Sequence, residues 1–346
     1  MSDQLGTAYE MGLRMIHTEK LTRTFTAKKG KTVEAVKGID IDVAEGELVA
    51  FLGPNGAGKS TTLRMLTTLL PPTSGSASVA GRSIVTDPAG VRSRIGYVGQ
   101  GSSAGHQFRV HDEMMAQGRY YGMSSAAAAT RMKELVTTLD LGGLELRRVS
   151  TLSGGQRRRL DVAMGLMHSP ELLFLDEPST GMDPQNRANL WEHIARLRSE
   201  HNTTIVLTTH YLEEADAQAE RVLVIDHGEI IADDTAPALK ARLAGDLISV
   251  AVAPGAVDSA VRLMADTGDE IATRPAGPEV VVSGRFDGGT RALPPLLRRL
   301  DQEGIEVLEA DVRVPTLDDV FLSLTGRSLR EGENNEDAPV VEGRAA

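Results

Sequence analysis

"GPNGAGKST" occupies Gly53 to Thr61, directly after the apolar run "ELVAFL". It fits the pattern G-x-x-x-x-G-K-[ST], with Gly53, Gly58, Lys59 and Ser60 at the fixed positions. Glycines let a backbone curl with its N–H groups turned inward, and a helix that follows adds partial positive charge at its N-terminus. In such a loop Lys59 pairs with the β- and γ-phosphates of a nucleotide and the Ser60 hydroxyl reaches Mg²⁺. A strand-like run enters the stretch and a helix-like run leaves it. The reading is a phosphate-binding loop in an α/β fold, in preference to a glycine-rich turn between strand and helix.

The rest of the chain bounds that reading. Its 346 residues suffice for a large domain and a smaller one. Hydrophobic residues make up 41% and aromatic ones only 3%, so the core is aliphatic. There is no cysteine, which excludes disulfides and thiolate metal sites. Lys plus Arg number 37 against 48 Asp plus Glu, a net charge of −11 that argues against nucleic acid as a partner. No apolar run approaches the roughly 20 residues that cross a bilayer, and the N-terminus lacks a secretory apolar core. The expected setting is cytoplasmic.

Organisation follows from periodicity. "MIHTEKLTRTF" and "GIDIDVAEGELVAFLG" read as strands, the second with alternating apolar positions. Lys59 to Leu70 reads as a helix stopped by "PPTSG". Val91 to Ser150 reads as polar and helical. Then strands "ELLFLDEP", "TTIVLTTH" and "RVLVIDHGEII" alternate with helices, which indicates a parallel sheet with helices on its faces. After about residue 245 the order becomes β-α-β-β-α-β, a split ferredoxin-like unit, followed by the capped helix "TLDDVFLSL". The expected domains are a leader over 1–14, a nucleotide-binding domain over 15–245, a regulatory or dimerisation α+β domain over 246–327, and an acidic, disordered tail over 328–346.

Two further stretches carry chemistry. "ELLFLDEP" brings Asp176 and Glu177 to the C-terminal end of a buried strand, where ligands sit in open α/β sheets. Asp176 is suited to Mg²⁺ and Glu177 to orienting and deprotonating an attacking water. "LSGGQRRRLDVAMG" starts a second helix with an anion-binding N-terminus: Ser153 is an N-cap, and Gly154 and Gly155 permit close approach. Taken alone it reads first as an ordinary capped helix. Beside the phosphate loop it raises a question, because one nucleotide does not need two such clamps from one subunit.

These motifs together resemble an ATP-binding cassette (ABC) ATPase, from about Met15 to Leu243. "GPNGAGKST" resembles the Walker A loop, "LLFLDE" the Walker B strand and "LSGGQ" the family signature. The resemblance implies an α/β P-loop fold of the ABC type, with a mixed sheet core, an antiparallel β subdomain, a helical subdomain and here a small α+β C-terminal domain. It implies that Gly53, Pro54, Asn55, Gly56, Ala57, Gly58, Lys59, Ser60 and Thr61 hold ATP. Phe25 falls where an aromatic residue stacks on adenine. "IGYVGQ" places Gln100 as the Q-loop residue that contacts Mg²⁺ alongside Ser60 and Asp176. "STGMD" places Asp183 in the D-loop, and "TTH" places His210 against the γ-phosphate, catalytic with Glu177. Two domains of this family close head to tail, so Ser153, Gly154, Gly155 and Gln156 would clamp the nucleotide of a second copy. That resolves the double clamp. Gly99 and Met182 stand where proline and leucine are frequent.

A narrower resemblance lies in "LSGGQRRRLDVAMGLMHSPELLFLDEPSTGMDPQNRANLW", "THYLEEAD" and "PTLDDVFLSLTGR", which look like the daunorubicin-resistance type of bacterial drug-exporter ATPases. It implies an ATP-hydrolysing subunit that powers export of a drug, antibiotic or lipophilic compound through a separate membrane permease and sits peripherally on the cytoplasmic face. The alternatives are a non-transport cassette ATPase acting on a macromolecular complex and a nucleotide sensor without turnover. A single motif set without long coiled coil weighs against the first, and intact Glu177 and His210 weigh against the second.

Overall fold

The computed structural model describes residues 14–26, 32–243 and 246–328. The expected leader and acidic tail therefore lie outside the described residues, apart from Arg14 and Ser328. Contacts divide the chain after Asp233 into two units.

Unit one opens with β1 (Arg14–Thr26) and β2 (Thr32–Ala44), which pair antiparallel. Ile39, Ile41 and Val43 alternate along β2 and are buried in one core with Ile16 and Leu21 of β1. A turn at Gly46 leads into β3 (Leu48–Leu52), whose five residues are all buried, as a strand covered on both faces requires. After the glycine-rich loop comes α1 (Lys59–Leu66). It ends earlier than the expected Leu70, because Thr67 turns its hydroxyl onto Leu63 O and Thr68 takes a left-handed φ of 62°. β4 (Ser74–Val79) and β5 (Arg82–Ser83) complete an antiparallel sheet in the order β2-β1-β4-β5.

The chain then runs through α2 (Pro88–Arg92), β6 (Ile95–Val98), α3 (Val110–Tyr120), α4 (Ser125–Thr138) and α5 (Gly154–Gly165). β6 departs from the expected polar and helical middle: it is a four-residue edge strand, too short to show alternation. Next come β7 (Leu172–Asp176), α6 (Pro184–His201), β8 (Thr204–Thr209), α7 (Leu212–Gln218), β9 (Arg221–Asp226) and β10 (Glu229–Asp234). "RVLVIDHGEII" is two strands, not one, because His227 and Gly228 both take positive φ and turn the chain. The main sheet has the order β10-β9-β3-β8-β7-β6, with β9, β3, β8, β7 and β6 parallel in successive pairs. The C-terminal ends of β3, β8, β7 and β6 thus stand side by side, and each is followed by one of the motifs above.

Unit two comprises α8 (Ala236–Leu243), β11 (Asp246–Val252), α9 (Val257–Ala265), β12 (Asp269–Ala276), β13 (Glu279–Phe286), α10 (Gly289–Gln302), β14 (Val307–Arg313) and α11 (Leu317–Thr325). Its antiparallel sheet runs β12-β13-β11-β14. Ile248, Val250 and Val252 alternate on β11 and share a core with Val282, Phe286, Met264, Leu296 and Leu300. The division falls before α8 rather than after residue 245, because α8 packs on α11.

Candidate nucleotide site

The loop from Gly53 to Gly58 must thread between neighbouring backbones. A Cβ on Gly53 would stand 2.1 Å from Ile225 O, and one on Gly58 would stand 2.5 Å from Ala35 O. Gly58 also has a φ of 107°, open only to glycine. Lys59 is 4% exposed, and its Nζ donates to Gly53 O at 2.6 Å and Pro54 O at 3.1 Å. Burial lowers its pKa, and the Glu177 and Asp176 carboxylates oppose that shift. Pro54 to Thr61 line one cleft, together with Ala35, Gln100 and Glu177.

Opposite the loop, the strand ends supply oxygen. Asp176 is fully buried at the end of β7. Its Oδ1 accepts from Ser60 Oγ at 2.8 Å and from Thr208 Oγ1 at 2.7 Å, and the Tyr97 hydroxyl lies 3.4 Å from Oδ2. Gln100 Nε2 donates to Ser60 Oγ at 3.3 Å. Hydroxyl, carboxylate and amide oxygen are the hard donors that Mg²⁺ takes, so these residues fit that ion.

Glu177 sits just past β7 with a φ of 45°, a conformation non-glycine residues avoid and active sites collect. Its N–H is held by Thr208 Oγ1 at 3.0 Å, and Thr180 Oγ1 donates to its Oε2 at 3.2 Å. His210 Nδ1 stands 3.6 Å from the same Oε2, just beyond hydrogen-bond length. The contact with His210 first, and the Lys59 charge after it, hold the Glu177 carboxyl below the usual range, against the opposing effect of burial. The group is therefore an ionised acceptor at neutral pH. Behind His210, buried Glu214 accepts from Thr209 Oγ1 at 3.0 Å and from Ser179 Oγ, which fastens the end of β8 to the segment after Glu177.

The signature residues lie in a different cleft. Ser153 caps α5: its Oγ accepts from Gln156 N at 3.2 Å, and Gln156 Oε1 accepts from Ser153 N at 3.1 Å. A Cβ on Gly155 would stand 2.6 Å from Asn186 Oδ1, so glycine lets α6 approach. Asp183 caps α6 through Asn186 N at 2.9 Å. Ser153, Gly154, Gly155 and Asp183 line this second cleft, which shares Gln100 and Glu177 with the first. Phe25 lines neither; it is 36% exposed at the end of β1, with the Arg23 guanidinium 4.6 Å over its ring.

Sequence reasoning missed Thr208, Tyr97, Thr180 and Glu214. Thr208 was within reach, since it opens "TTH" at the end of a buried strand. Thr180 lies three residues past Glu177 in "STGMD", whereas Tyr97 and Glu214 depend on tertiary placement.

Residues 36–180 match the ABC transporter family. The daunorubicin resistance ATP-binding protein DrrA3 of Streptomyces coeruleorubidus is 41% identical over 301 residues, 87% of this chain and 94% of that protein. The linearmycin resistance ATP-binding protein LnrL of Bacillus subtilis is 33% identical over 320 residues, 92% of this chain and 100% of that protein. Among solved structures, the dimeric bacterial ABC transporter cassette MJ0796 superposes with a TM-score of 0.59 at 24% identity, covering 64% of this chain and 98% of the cassette, a likeness of fold. With its phosphate loop, strand-end carboxylates and capped signature helix, the chain belongs to the ABC-transporter family as an ATP-binding, ATP-hydrolysing member.

Proposed function

We propose that this chain is the motor of an exporter, working as a head-to-tail pair whose ATP closure and hydrolysis drive a separate membrane permease. The observation that carries this reading is that the phosphate loop and the signature line different clefts, which adjoin at Gln100 and Glu177. Lys59 and Ser60 line one, with Asp176 buried behind Ser60, and Ser153 and Gly155 line the other, so each subunit offers half of two sites. Ser60, Asp176 and Gln100 would hold Mg²⁺, which when bound neutralises phosphate charge. The phosphate loop and Lys59 bind the nucleotide, Glu177 accepts a proton from the attacking water, and His210 keeps Glu177 ionised and oriented. Phe25 would stack on the adenine, and Asp183 would meet the partner subunit. The resistance relatives point to a drug or other lipophilic compound as cargo. No helix among the described residues is long and apolar enough to cross a membrane, in keeping with docking on a permease.

The test is phosphate release from Mg²⁺-ATP across protein dilutions. Activity per subunit rises with concentration if a pair forms the site. Strictly proportional activity, with no nucleotide-dependent dimer on size exclusion, would sink the reading.

A further inference from the structure

Five residues into the signature helix lies a side chain that the roles above leave unused. Arg158 is 8% exposed, and its guanidinium is committed to main-chain carbonyls of two different loops. One nitrogen, Nη1, donates to Gly99 O at 2.6 Å, immediately ahead of Gln100. Nε donates to Pro178 O at 2.7 Å, and Nη2 to Asp176 O at 3.2 Å and Glu177 O at 3.4 Å. One turn further on, Asp161 accepts from Ser103 N at 2.8 Å and from Ser102 Oγ at 3.4 Å. Helix α5 thus grips the chain on both sides of Gln100 and also the strand end that carries Glu177. The planar fork of arginine can bridge two loops at fixed spacing, which a point cation such as lysine cannot.

The helix rises about 7.5 Å between Ser153 and Arg158. Its first turn borders the cleft assigned to a partner's nucleotide. Its second turn holds the loops that serve its own nucleotide. We propose that Arg158 is a positioning residue that links the two composite sites of the pair: a shift of α5 when Ser153 engages one nucleotide moves Gln100 and Glu177 at the other. This inference rests on the composite-site reading above. An arginine that merely satisfied buried carbonyls would affect stability and leave the turnover of folded protein alone.

The absence of cysteine makes an introduced thiol a unique label. A Cβ at Gly101 points into open space, so Gly101→Cys takes an environment-sensitive fluorophore beside Gln100. The labelled chain also carries Lys59→Ala, which removes its own phosphate contact, and is paired with unlabelled Glu177→Gln subunits and Mg²⁺-ATP. The expected result is an emission change on adding ATP that Arg158→Gln in the labelled chain abolishes and Arg158→Lys retains in part. An emission change that survives Arg158→Gln, or no change with Arg158 in place, overturns the link. A mixture that does not dimerise overturns the composite-site reading and this inference with it. In an otherwise unaltered chain, Arg158→Gln should lower kcat by about 10²-fold, the scale of misplaced catalytic groups, with trinitrophenyl-ATP affinity unchanged. Wild-type turnover in that variant overturns the proposal. Should Arg158→Gln fail to give a cooperative melting transition, Arg158→Lys carries both measurements, with a partial loss expected and wild-type behaviour overturning.

Discussion

The two clefts of unit one are built from the same parts and left in opposite states. Each has a glycine-rich turn feeding a helix N-terminus. At the phosphate loop the cation is turned inward: Lys59 rests on the carbonyls of Gly53 and Pro54, and Ser60 rests on Asp176. Both side chains are already held by their own chain at short distance. At the signature the helix caps itself through Ser153 and Gln156, and Gly154 has nothing within 4 Å of where a Cβ would stand. In the proposed pair the first cleft is the half-site that holds the nucleotide, and the second is the surface offered to the partner's nucleotide. Polar groups arranged for a partner need exposure, whereas those arranged for chemistry need burial and a fixed frame.

The largest effect that would break this contrast concerns Glu177. Glu177→Gln should reduce phosphate release by roughly 10²–10⁴-fold, the usual worth of a general base, while ATP binding persists. An unreduced rate in that variant would remove Glu177 from the chemistry and leave the first cleft as a binding site. Next in size is a mixing experiment. Lys59→Ala and Ser153→Arg should each be nearly inactive, one through loss of a charged phosphate contact and the other through blocked approach. Mixed, they form heterodimers with one site carrying both lesions and one carrying neither. Random pairing should return at most roughly a quarter of wild-type activity. Failure to recover at any ratio would mean that each subunit holds a complete site.

Much of the first cleft was legible because its chemistry is local. Gly53 to Thr61 is one contiguous segment, and the order of β3, β7 and β8 in a parallel sheet brings Asp176 and His210 to it. What was not legible depends on long-range packing. Tyr97 reaches Asp176 across 79 positions, and Arg158 meets Gly99 across 59. No periodicity reports such a pairing. The backbone misreadings are of another kind. β6 is four residues long, and the break at His227 and Gly228 lies in an apolar run whose turn residues are only two. In unit two the β-α-β-β-α-β order was readable from alternation, but the attachment of α8 was not, because a short helix carries no label for the neighbour that buries it.

A smaller effect sharpens the account of Glu177. Its carboxyl is held low mainly by His210, while burial works in the opposite direction. His210→Ala removes the leading cause and leaves the burial. The Glu177 pKa then rises, and the acid limb of the kcat–pH profile should move to higher pH. The stability consequence has the same sign. A carboxyl with a depressed folded-state pKa contributes stability above its unfolded value, and that contribution is lost as pH falls through the folded one. The variant should therefore be less stabilised by Glu177 at neutral pH than the parent. An acid limb that stays in place would assign the limb to another group.

The smallest expected effect compares two caps with the same chemistry in different units. Ser153 and Gln156 box the start of α5, and Thr316 and Asp319 box the start of α11. Each serine or threonine oxygen accepts from the N–H three residues on, at 3.2 Å for Ser153 and 3.3 Å for Thr316. Replacing either with alanine removes that bond and leaves an N–H to water, at a cost of about 1 kcal/mol. Thr316 also donates to Asp319 Oδ2 at 2.8 Å, and Arg313 bonds Asp319 Oδ1 at 2.6 Å, so the cap at α11 sits within a small polar cluster. Denaturant unfolding should thus show similar losses for Ser153→Ala and Thr316→Ala. Turnover should separate them. Thr316→Ala should hydrolyse ATP at the parental rate per folded molecule, because its cap stabilises a helix of unit two and faces no nucleotide in the proposed arrangement. Ser153→Ala should lose activity beyond its stability loss, because in the proposed pair the hydroxyl that caps α5 is also the group offered to the partner's γ-phosphate. Equal turnover in the two variants would make the signature serine a cap and nothing more.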